Sequence, residues 1–67
     1  MKDFALNPAT KADYEKIIAA ITKQQDIILV GTDAPKPKIK EDAGQIYVRC
    51  NEQSLNILNA KFDYFEI

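Results

Sequence analysis

Thr10-Lys11-Ala12-Asp13-Tyr14-Glu15-Lys16-Ile17-Ile18-Ala19-Ala20-Ile21-Thr22-Lys23-Gln24, with Asp26-Ile27-Ile28-Leu29-Val30-Gly31 close behind, decides the fold class. In the first stretch Tyr14, Ile17, Ile18 and Ile21 recur at i, i+3, i+4 and i+7, which puts them on one helical stripe. Lys11, Asp13, Glu15, Lys16 and Lys23 fall away from it, acids early and Lys23 late, as the helix dipole favours. Asn7 or Thr10 supplies the cap and Pro8 suits a first-turn position, so a helix is expected from about Thr10 to Gln24. The second stretch is a continuous apolar run without alternation. That pattern predicts a central strand over Asp26–Gly31, covered on both faces.

The remaining elements follow from these two. Gly31-Thr32-Asp33-Ala34-Pro35 carries turn chemistry that ends the strand. Lys36-Pro37-Lys38-Ile39-Lys40-Glu41 reads as a short edge strand, because Lys and Pro are residues that protect sheet edges. Asp42-Ala43-Gly44 predicts a tight turn with Gly44 at positive φ. Gln45–Cys50 alternates, with Ile46, Val48 and Cys50 on one face and Tyr47 and Arg49 on the other. In the tail, Leu55, Leu58, Phe62 and Phe65 fit a helical stripe, whereas Leu58–Tyr64 alternates as a strand would. Glu52, Gln53 and Leu55 favour a helical turn near Ser54, and the aromatics Phe62, Tyr64 and Phe65 favour a strand from about Ala60 to Glu66. No element is assigned ahead of the helix. The expected class is α+β: one N-terminal helix on a small, mostly antiparallel sheet of three to four strands, in the order α-β-β-β-turn-β. Residues 1–67 form a single domain in this reading.

Composition sets the bounds. With 46% hydrophobic and 28% charged residues, the chain is neither disordered nor fibrous. No apolar run approaches the roughly 20 residues of a membrane span, and the Met1–Asn7 stretch lacks a secretory leader's apolar core, so a cytoplasmic protein starting at Met1 is expected. Cys50 is the single cysteine and there is no histidine, which excludes an internal disulfide and makes a zinc site from this chain alone untenable. A net charge of −1 gives no bulk attraction to nucleic acid or membrane.

Catalytic chemistry is hard to assemble. There is no imidazole for acid–base work near neutral pH, and Ser54, the sole serine, has no histidine to activate it. Gly31 and Gly44 cannot form a glycine-rich phosphate loop between them. The carboxylate pairs Asp13/Glu15, Glu41/Asp42 and Asp63/Glu66 sit among lysines and read as solvated surface charge. Cys50 reads as a buried structural thiol, and Arg49 points to the opposite face. The protein is therefore expected to be non-enzymatic, without cofactor or metal.

In topology the expected order resembles that of double-stranded-RNA-binding domains. Their basic helix N-terminus, which grips phosphate, has no counterpart in residues 51–59, which hold Glu52 and no Lys or Arg. In length the chain is also similar to small phage head-joining proteins, although no shared motif accompanies the likeness.

Two features remain once a fold is drawn. Lys36, Lys38 and Lys40 would project from one side of a strand at about 7 Å spacing. Tyr47, Phe65 and Ile67 would face outward if Phe62 and Tyr64 face the core, and an exposed apolar cluster marks an interface. These six residues form the expected partner-binding set, with Tyr47 and Phe65 as anchors and the lysines steering an acidic partner. The function expected is a small protein-binding module: an inhibitor, adaptor or assembly subunit of the kind phage and mobile elements encode, working as a homodimer or beside another protein. The alternative is a nucleic-acid-binding module using Lys36–Lys40, which steep salt dependence would distinguish.

Overall fold

The computed structural model describes residues 1–33 and 43–67. The elements run β1 (Lys2–Pro8), α1 (Lys11–Lys23), β2 (Ile28–Thr32), β3 (Ile46–Cys50), a 3₁₀ helix (Glu52–Ile57) and β4 (Phe62–Glu66). The α+β class and the antiparallel sheet hold as expected.

Helix α1 starts where the capping chemistry places it. Thr10 is the N-cap in extended backbone, and its Oγ1 accepts from the Asp13 N–H at 3.1 Å. Asn7 and Pro8, the other candidates for that end, close β1 instead. Ile17 and Ile21 are buried, with Tyr14 and Ile18 packed beside them, so the predicted stripe meets the sheet.

The sheet order is β2-β3-β1-β4, with every neighbouring pair antiparallel. It follows that β1 and β2 run parallel, joined by α1, with β3 inserted between them. Likewise β3 and β4 run parallel around β1. This is the split β-α-β arrangement used twice. The second crossover has only residues 51–61 to work with and makes a six-residue 3₁₀ helix in place of an α-helix. Phe4, Leu6, Ile46, Val48 and Cys50 line the inner sheet face, and Ile17, Ile21, Leu55 and Leu58 close over them.

Three expectations are corrected. A strand precedes the helix, so the order is not α-β-β-β-turn-β, and the likeness to double-stranded-RNA-binding domains lapses. Strand β1 is central, yet its sequence hides it: three apolar residues sit between charged Lys2-Asp3 and the breaker pair Asn7-Pro8. Among the described residues the run Ile28-Leu29-Val30 lies at the sheet edge rather than its centre, with relative exposures of 48%, 45% and 54%. The position beside β3 that would have centred β2 goes to β1. An irregularity between Leu29 and Gly31 also breaks β2's register. Finally, Gly44 does not take positive φ; among the described residues the left-handed one is Asn59, at φ 54°. The edge strand expected at Lys36–Glu41, and Asp42 of the predicted turn, lie outside the described residues.

Candidate protein-binding face

The outer face of the sheet is built by the residues that alternate with the core. Strand pairing sets them in rows across all four strands. One row reads Gly31, Tyr47, Ala5, Phe65, small and aromatic by turns. The next reads Ile28, Arg49, Asp3 and then Ile67, whose N–H donates to the Asp3 carbonyl at 2.9 Å. On the other side lie Asp33, Gln45, Asn7 and Asp63; here the Asp33 N–H donates to the Gln45 carbonyl at 2.7 Å.

The aromatic row explains an otherwise odd burial. Ala5 points outward and is nevertheless fully buried. Its directly opposed neighbours, Tyr47 and Phe65, are the large side chains placed to cover it. Tyr47 leans toward β2: its Cδ2 is 3.9 Å from where a Cβ on Gly31 would sit. Its hydroxyl has two acceptors, Gln45 Oε1 at 2.7 Å and Asp33 Oδ2 at 3.2 Å. One hydrogen cannot satisfy both, and the shorter contact is to Gln45. Gln45 Nε2 in turn donates to Asn7 Oδ1 at 2.7 Å, so the ring is fixed by a chain of polar contacts reaching β1. Burial, and then the Asp33 carboxylate, push the Tyr47 phenol up, which keeps it neutral.

Phe65 is 52% exposed and Ile67 67%, so beyond the flank of Phe65 that faces Ala5 both stand largely in water. Between Ile28 and Ile67 the Arg49 guanidinium holds Asp3 through Nε–Oδ1 at 2.7 Å and Nη2–Oδ2 at 3.3 Å. That fork lowers the Asp3 carboxyl below its ordinary range. Among the described residues the face carries Asp3, Asp33 and Asp63 against Arg49, so that part of it is acidic on balance.

Of the six residues expected to bind a partner, Tyr47 and Phe65 share one row and Ile67 lies in the next; Lys36, Lys38 and Lys40 lie outside the described residues. Sequence reasoning missed Ala5, Gly31 and Ile28, because their place on this face depends on β1 and on the β2 register. Asp13, read as solvated, is buried: Oδ2 accepts from the Thr10 hydroxyl at 2.9 Å and Oδ1 from the Lys61 N–H at 3.2 Å. Those two donors, the Lys61 N–H first, hold its carboxyl below the usual range. Thr10 three residues before an acid was the visible signal. Cys50 is fully buried, and burial pushes its thiol up. Among the described residues no helix is long and apolar enough to cross a membrane.

No family model matches this chain, and neither a curated protein nor a solved structure is detectably similar to it.

Proposed function

We propose that this chain is a small, non-enzymatic protein-binding module whose contact surface is the outer sheet face. The observation behind the reading is the row Gly31–Tyr47–Ala5–Phe65, two aromatics flanking Ala5, one of them held by hydrogen bonds, with exposed Ile28 and Ile67 alongside and polar residues around it. Interfaces favour aromatic anchors inside a polar rim. A ring already fixed by hydrogen bonds loses little freedom on binding. The carboxylates of the face favour a partner with a basic rim, and they count against two copies meeting face to face and against nucleic-acid phosphate on this surface. The role of inhibitor, adaptor or assembly subunit belongs to this same reading. The nucleic-acid alternative rests on Lys36–Lys40 alone.

Tyr47→Ala combined with Phe65→Ala tests the proposal. The double variant should keep its far-UV circular dichroism and lose the partner that the wild-type chain retains from its native host, while sedimentation shows both as monomers. A double variant that folds and retains the same partner rules this face out. A concentration-dependent dimer lost in the variant would make the partner a second copy.

A further inference from the structure

The two crossovers of the fold are unequal, and the shorter one leaves a groove. Helix α1 spans the first, whereas the 3₁₀ helix occupies the place beside it where a second α-helix would lie. A groove therefore runs along the open flank of α1, lined by Lys16, Ala19, Ala20 and Lys23 on one wall and by Ile57 and Asn59 on the other. It continues past Lys16 to Lys61 and Asp13.

Three properties define what fits. The α1 wall is low, because Ala19 and Ala20 allow a second helix axis to approach at the short end of the usual 8–10 Å. Ile57 is 46% exposed on the far wall although it belongs to a segment whose Leu55 and Leu58 are buried, so an apolar contact stands open there. The charges of the groove are one-sided. Among the described residues that line it, Lys16, Lys23 and Lys61 are the cations, and the one acid, Asp13, has both carboxylate oxygens engaged by Thr10 and Lys61. Because the groove is open rather than enclosed, it suits a helix better than a small molecule.

We infer that this groove docks an acidic amphipathic helix of a partner protein, completing the helix layer that the short crossover leaves half built. Its apolar stripe lies over Ala19, Ala20 and Ile57, and its carboxylates meet Lys16, Lys23 and Lys61. Since α1 has 13 residues, the docked segment is about three turns long.

The test uses the full chain, labelled with ¹⁵N, and a synthetic peptide of about 12 residues with leucines on one helical stripe and glutamates flanking it. The expected result is saturable shift changes at amides of Lys16–Lys23 and Ile57–Asn59. Lys16→Glu with Lys23→Glu should weaken binding about tenfold or more, as should Ile57→Ser. A peptide with lysines in place of the glutamates should not bind. The outer-face variant Tyr47→Ala/Phe65→Ala should bind the acidic peptide as wild type does, which separates this proposal from the previous one. Absence of saturable shifts, equal binding of both peptides, or shifts confined to the outer face would overturn it.

Discussion

Strands β1 and β3 supply both faces of the sheet, yet the two faces are built on different terms. On the inner face Phe4, Leu6, Ile46, Val48 and Cys50 are nearly or wholly removed from solvent beneath α1 and the 3₁₀ helix. On the outer face, one residue along each strand, large side chains alternate with small ones and an ion pair separates the aliphatics. The inner pattern maximises apolar contact, the main source of stability in a domain this small. The outer pattern covers only what the backbone needs covered, at Ala5 and Gly31, and leaves Phe65 and Ile67 largely in water. Changes on the inner side should therefore register as stability, and changes on the outer side as binding.

The largest expected effect is on the inner side. A core of this size supplies about 3–5 kcal/mol in all, and Ile17 is fully buried. Ile17→Ala should remove about 2–5 kcal/mol in urea unfolding, and Ile17→Asp should leave the chain unfolded by circular dichroism. Lys16→Ala, on the exposed side of the same helix, should be nearly silent. Similar losses in Lys16→Ala and Ile17→Ala would dissolve the contrast between faces.

Cys50 probes the same burial without disturbing it. In the folded chain its reaction with a thiol reagent should be at least about a hundredfold slower than in denaturant, since labelling has to wait for unfolding. Fast native labelling would mean that β3 presents its other face to the core.

The Thr10–Asp13–Lys61 contact is where the inner layer is pinned. Thr10→Ala should cost about 1 kcal/mol, the usual loss for an N-cap. Asp13 gives the pH dependence. Its native carboxyl lies below the ordinary value of about 4, so the unfolded chain takes up the proton first as pH falls. The stabilisation is complete above the ordinary value and disappears as pH drops through the native one. Urea midpoints should fall in that acid window, and Asp13→Asn should flatten the fall.

The smallest effects belong to the outer face. Phe65→Ser should change stability by no more than about 0.5 kcal/mol. Gly31→Ala should be similarly mild, because φ there is not positive and the added methyl would meet Tyr47 at ordinary van der Waals distance. If Phe65→Ser instead destabilises like a core change, the ring belongs to the fold and the binding proposal loses its second anchor.

Local chemistry carried much of this structure into view. The α1 stripe and its Thr10 cap depend on contacts within four residues, and the alternation of Gln45–Cys50 is a property of any pleated strand, so both can be read from neighbouring residues alone. The tail resolved as expected for the same reason, with a helical turn near Ser54 and then an aromatic strand. The two lysine-free anchors of the expected site followed from that alternation. Strand neighbours, by contrast, are chosen across the whole chain. Lys2–Pro8 becomes central because β3 and β4 both pair with it, and no residue within the segment announces those partners. The same choice leaves Ile28-Leu29-Val30 at the edge and brings Ala5 and Gly31 between the aromatics. Asp13 is buried only because the Lys61 backbone, 48 positions away, arrives to donate to it. Periodicity determines which side of an element is apolar; which element lies against that side is settled by long-range pairing, and only the tertiary structure contains it.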